Sequence, residues 1–366
     1  MSESKQRISA NLPGVIARLM PALFSRFVPR ETDAACASCS MWPPRSGERS
    51  DGLFFSPEIK CCTYLPNLPN FLVGGLLEDD SQSAAQGRQR LEAQIENRSG
   101  VTPWGICRSE RYDLLYNGAA RHVFGRSKVL RCPYYEETTG SCTIRPWWIS
   151  ICHTWFCKHV TGKDGLVFWT AVRRHISQAE TVLAQYCAWK LGAPIAPQSA
   201  DSGSSTIRSD QLDEVAPPIE THLASWGKWT GQERAFYRRS YQVVENLTRL
   251  DLERLMGFTG MQLLDDVKRC LARLRMRHPP ALLKRATYIG VTKLGDDSYR
   301  LTGYSPYDPM IVTKAIYDLL DEFDGRRTNQ SICAARRQRK ASVPSPQLLL
   351  NLYRMRLLIE PGRESE

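Results

Sequence analysis

The chain has 366 residues, 42% of them apolar and 24% charged, and a net charge of +11. That composition supplies cores for two medium domains and excludes global disorder and a fibrous repeat. No apolar run reaches the roughly 18–20 residues that a transmembrane helix needs, so no membrane partner is expected.

Residues 1–29 read as an N-terminal helical segment. Arg18 and Arg26 interrupt its apolar run and Pro21 sits inside it, the pattern of a packed, kinked helix rather than an anchor or export signal. A cytoplasmic location follows as the expectation. In that reducing compartment grouped thiols serve metals or catalysis more often than disulfides.

Residues 30–193 hold ten of the twelve cysteines, and eight of these, Cys36, Cys39, Cys61, Cys62, Cys132, Cys142, Cys152 and Cys157, form a candidate set within 122 positions. Cys36-Ala-Ser-Cys39 has the two-residue spacing that turns two thiolates toward one ion, and it also fits a redox dithiol. Cys61 and Cys62 are adjacent. In an extended segment they would point to opposite sides, so they can serve one centre only if the backbone turns there. Cys132, Cys142, Cys152 and Cys157 follow at intervals of ten, ten and five, among Tyr134, Tyr135, Trp147, Trp148, Trp155 and Phe156. Loop cysteines at such spacing suit a metal, and an apolar wall tunes an iron–sulfur centre by excluding water. His153 and His159 flank the last pair and read as local packing histidines. Arg131, Arg145, Lys60 and Lys158 lie near enough in sequence to offset thiolate charge, and Cys107 reads as a core thiol.

This set resembles the bacterial cysteine-cluster family of zinc- or iron-chelating domains. The resemblance rests on Cys36 and Cys39, the Cys61-Cys62 doublet, Cys132-Pro133-Tyr134, Gly140-Ser141-Cys142-Thr143-Ile144 and Cys152, over residues 33–160. The doublet lies 22 residues beyond Cys39 instead of close behind it, and Cys157 is additional. The resemblance implies bound metal and leaves any reaction open. Cys36, Cys39, Cys61, Cys62, Cys132, Cys142, Cys152 and Cys157 are therefore the expected ligands. The expected cofactor is an iron–sulfur cluster of the 4Fe-4S type, with zinc as the alternative. Redox thiols without metal are a third reading.

Phe71 to Leu77 is an apolar segment containing Gly74-Gly75, which permits close backbone approach. It is not a phosphate loop, because Gly-x-x-x-x-Gly-Lys is absent. Residues 166–190 read as a helix whose stripe is Phe168, Val172, Ile176, Ala179, Leu183 and Cys187. Cys187 is thus a packing thiol. The stretch 194–218 is rich in small, polar and proline residues and reads as a linker.

Residues 219–284 are expected to be helical, with helices over 231–256 and 260–277 separated at Gly257 and Gly260. Residues 285–361 then supply a hairpin around Gly295-Asp296-Asp297, a helix over 310–323, helices capped by Thr328 and Ser345, and a closing strand at 357–361. That order resembles a winged-helix domain, or the peptide-recognition domains of the pyrroloquinoline-quinone D type through Asp324, Gly325 and Thr328. The resemblance implies a protein or peptide partner.

Arg326, Arg327, Arg336, Arg337, Arg339 and Lys340 admit nucleic acid as a partner. Asp318, Asp321, Glu322 and Asp324 upstream favour a solvated or protein-binding face. No His-Glu-x-x-His, Gly-x-Ser-x-Gly or paired-carboxylate motif marks an enzyme. The expected fold class is α+β: a loop-rich cysteine-cluster metal domain, a helical region and a winged-helix-like domain. The expected function is an iron–sulfur or zinc redox or accessory protein that docks a partner. The alternative is a structural-zinc, nucleic-acid-binding transcriptional regulator.

Overall fold

The longest element, the helix Lys163–Lys190, organises the larger part of the molecule. At 1.5 Å per residue its 28 residues span about 42 Å. Its stripe, Phe168, Val172, Ile176, Ala179, Leu183 and Cys187, is buried. A computed structural model of the chain describes residues 4–31, 39–41, 54–194, 216 and 218–362. Cys36 and nearly all of the 194–218 linker lie outside the described residues.

Two helices pack on this rod. Arg249–Leu274 contributes Val267, Leu271 and Leu274, and its Arg273 meets the buried Asp164 at 3.3 Å. Glu233–Glu245 contributes Phe236, Tyr237 and Val244. Between them a capping box, Thr248 with Asp251, starts a new helix. A break at Asn246–Thr248 thus divides the expected 231–256 helix, and at Gly257, where a separation was expected, the backbone leaves helical geometry with φ of 54° and the run kinks.

The short helix Asn70–Glu78 is buried on every side as far as Leu77. Its glycines allow this. A Cβ at Gly74 would stand 1.9 Å from the Tyr237 carbonyl oxygen, and one at Gly75 would stand 2.1 Å from the Trp147 ring. Asn70 at its start donates to the carbonyls of Pro103 (2.8 Å) and Ala184 (3.0 Å), which ties the helix to the rod.

The N-terminal segment is not one kinked helix. Lys5–Arg7 and Phe27–Pro29 pair antiparallel and enclose a four-residue helix, Gly14–Ala17, and a single 3-10 turn. Two prolines, Pro13 and Pro21, each open one of these turns with extended ψ and prevent a continuous helix.

The C-terminal part has its own core of Leu283, Leu301, Leu320, Phe323, Ile332, Leu352 and Leu357. It carries two three-stranded antiparallel sheets. In one, Ser298–Thr302 lies between Gly290–Gly295 and Met310–Thr313; in the other, Leu282–Arg285 lies between Asp324–Thr328 and Leu358–Ile359. The capped helices Asn329–Gln338 and Pro346–Arg354 are present, with Thr328 and Ser345 oxygens accepting from Ser331 and Leu348 amides.

The architecture is a mixed α+β fold, and two parts of the expected description are corrected. Met310–Thr313 and Asp324–Thr328, read as helix and helix end, are strands, so two sheets stand where a winged-helix unit would have one hairpin. The preceding region is not a cysteine-cluster metal domain, as the geometry of its thiols shows below.

Candidate functional site: a thiol-lined cavity

Five of the expected site residues line one apolar cavity of about 280 Å³: Cys61, Cys62, Cys132, Cys142 and Cys152. Tyr64, Tyr116, Phe124, Trp148, Ile149, Ile151 and Trp155 complete much of its wall, and Tyr307 reaches it from the C-terminal part.

Each thiol arrives by a different route. Lys60 has φ of 56°, the left-handed turn that adjacent cysteines need to face one space. Its side chain, 2% exposed, donates to the Gly140 carbonyl at 2.7 Å and so pins the doublet to the next loop. Cys132 follows because its amide donates to the Cys62 carbonyl at 2.8 Å. Cys142 comes from a two-residue hairpin in which it pairs with Tyr135. Cys152 lies on the short helix Ser150–Thr154, whose first turn is held by Glu180: the Ser150 amide and hydroxyl both donate to that buried carboxylate at 2.7 Å.

The remaining candidates lie elsewhere. Cys39 and Cys157 pack with Cys61 beside Phe55 and Phe124 in a smaller apolar group. Cys107 is a half-buried thiol beside Thr102. Cys187 is fully buried and its thiol donates to the Ser240 carbonyl at 3.4 Å. The His153 Nε2–H donates to the Trp148 carbonyl at 2.7 Å. Burial lowers both His153 and His159 to about 4, so both rings are neutral. Of the expected charge-compensating groups, Arg131 pairs with Glu137 and Arg145 stacks on Trp148 at 5.4 Å.

The thiols are chemically unequal. The Cys62 thiol donates to Cys61, which pulls Cys61 below the ordinary thiol range, and Lys60 adds to the effect. The same bond, with burial, raises Cys62. Burial raises Cys132 to about 12 and also raises Cys142 and Cys152. Cys61 is the one thiol of the five shifted toward the thiolate, and the other four are shifted away from it. Backbone amides two residues onward, from Tyr134 and Ile144, point at Cys132 and Cys142.

The expected metal chemistry is corrected by this geometry. Among the described residues no group of three or more His, Cys, Asp or Glu side chains could hold a metal ion. The sulfurs of Cys39, Cys61, Cys62, Cys132, Cys142, Cys152 and Cys157 therefore do not make the ligand set of a 4Fe-4S cluster or a zinc site. Most of the sulfurs come from separate segments, and aromatic and aliphatic side chains share the cavity lining with them. All of the described cysteines are free thiols. The redox or accessory iron–sulfur function and the structural-zinc regulator both lose this foundation. Comparison with known protein families, with curated proteins and with solved structures finds no match, so the resemblance to the cysteine-cluster family is not supported either.

The basic C-terminal run is partly consumed internally. Arg327 bonds Asp324 and the Glu322 carbonyl, and Arg336 bonds Glu322 and the Ser342 carbonyl. Arg326, Arg337, Arg339 and Lys340 remain exposed. Among the described residues no helix is long and apolar enough to cross a membrane.

Proposed function

We propose that the protein is a cytoplasmic thiol–disulfide exchange protein acting through Cys61. One observation carries this reading: five thiols line one apolar cavity, and the neighbouring Cys62 thiol draws one of them, Cys61, below the ordinary thiol range. A thiolate is the attacking species in exchange, and nearby neutral thiols supply the second step.

The Cys61 thiolate attacks one sulfur of a disulfide RS–SR. The S–S bond breaks, RS⁻ leaves, and Cys61–S–S–R forms. A second cavity thiol then loses its proton, attacks the Cys61 sulfur and releases the other RS⁻. The protein gains one disulfide and the substrate becomes two thiols, so the two electrons are accounted for. The apolar wall excludes water and favours a substrate with little charge at its sulfurs.

The test treats reduced protein with bis(2-hydroxyethyl) disulfide and maps the products by peptide mass spectrometry. Cys61 should appear first, as the mixed disulfide and then joined to another cavity cysteine. Cys61→Ser should abolish both products. Reaction at Cys61 no faster than at the peripheral Cys270 or Cys333 would reject the reading.

A further inference from the structure

Beside the thiol-lined cavity lies a second one, of about 650 Å³, and Tyr64, Ile149 and Ile151 line both. The second cavity differs in kind. Arg173 and Arg174, consecutive on the Lys163–Lys190 helix, line it together with Arg108. Leu68, Pro69 and Trp104 give it an apolar side.

The arginines are unevenly satisfied. Arg108 pairs with Asp113 and donates to the Tyr64 hydroxyl at 3.3 Å. Arg173 is half-buried, and neither it nor Arg174 has an ion pair or hydrogen bond among the described residues. Burial and the neighbouring Arg174 both disfavour the Arg173 charge. The carboxylate that lines the cavity, Glu180, is engaged by Ser150 and burial raises it to about 7. Two adjacent guanidinium groups, one half-buried and one exposed, therefore line a cavity whose own carboxylate is held by Ser150 and makes no ion pair with them. Such a pair is satisfied by an anion with planar, paired oxygens, which a guanidinium binds in a fork.

We infer that the arginine-lined cavity is an anion subsite and that, given the exchange reaction at Cys61 on which this step rests, the substrates are small disulfides bearing carboxylates. The sulfur end enters the apolar thiol-lined space while a carboxylate meets Arg173 and Arg174, with Tyr64, Ile149 and Ile151 as the shared partition.

The experiment uses the full chain and two disulfides, dianionic dithiodipropionate and neutral bis(2-hydroxyethyl) disulfide. It also uses suberate, a dicarboxylate of the same chain length without sulfur. Dithiodipropionate should react about tenfold faster than the neutral disulfide at low salt. R173Q/R174Q should bring the two rates within about twofold. R337Q/R339Q, on the exposed C-terminal helix, should retain the full preference, which separates a local subsite from the overall positive charge. Calorimetry should show suberate binding to the native chain and about tenfold weaker binding to R173Q/R174Q. Suberate that fails to bind, or binds both proteins alike, overturns the subsite. Suberate bound at Arg173 and Arg174 while neither disulfide reacts retains the subsite and overturns the exchange reading.

Discussion

The C-terminal part and the thiol-bearing region reach order by different means. Between Leu282 and Ile359 local signals set the capped helices. Thr328 and Ser345 cap the helices that follow them, and Gly325, at φ of 78°, turns the strand before one of them. Between Phe54 and Cys157 the regular elements are short, and the conformation is held from far away. Lys60 reaches Gly140, Ser150 is fixed by Glu180, and the Asn70–Glu78 helix rests on Tyr237 and Ala184. Local capping tolerates single losses, whereas long-range contact through a close backbone approach does not.

The strongest way to break that comparison is Gly74→Val. The added side chain meets the Tyr237 carbonyl in a packed interface, and the expected cost is about 3 kcal/mol. Gly118→Ala, at an open helical position, should instead gain about 0.5–1 kcal/mol. Chemical unfolding of both variants measures the contrast. Equal midpoints would show that the close approach does not bear on stability.

A second effect follows from Glu180, whose carboxyl burial raises from 4.5 to about 7. Between those values the folded chain keeps a proton that the unfolded chain has released. This contribution is present below pH 4.5 and is lost as the pH rises through about 7. Glu31, raised by burial to about 7 beside Trp169 and the Val160 amide, has the same sign. Glu180→Gln should flatten the fall in stability between pH 4.5 and 7 and keep an acceptor for the Ser150 amide. An unchanged pH profile would mean that the carboxyl is hydrated in the folded chain.

The smallest effect sharpens the comparison from the other side. Thr328→Ala and Ser345→Ala should each cost about 1 kcal/mol. Neither should change the rate at which Cys61 is alkylated. A change in that rate would show that the caps are coupled to the cavity.

Legibility in the sequence divides local patterns from distant pairing in both parts of the molecule. The stripe of the Lys163–Lys190 helix, the packing role of Cys187, the turn needed at the doublet and the caps at Thr328 and Ser345 are all local patterns, and each has its counterpart in the fold. The strands Met310–Thr313 and Asp324–Thr328 are not legible, because pairing with distant partners decides them. The site is legible in part. Spacing points to Cys61, Cys62, Cys132, Cys142 and Cys152, but spacing does not report sulfur-to-sulfur geometry, and the inference from convergence to metal fails there. Arg173 and Arg174 give no signal in sequence beyond a charged pair on a helix. Their significance comes from the cavity they face and the carboxylates that do not reach them.

Tyr307 belongs to the C-terminal part, yet it packs edge-on against Phe55 at 5.5 Å and forms part of the thiol-lined wall. Whatever fills that space touches both halves of the molecule at once. By reciprocity, a guest that prefers the closed wall must strengthen the seating of the C-terminal part, and loosening that part must weaken the guest by the same factor. A truncation made to simplify the protein would then remove a side of the chamber along with the domain.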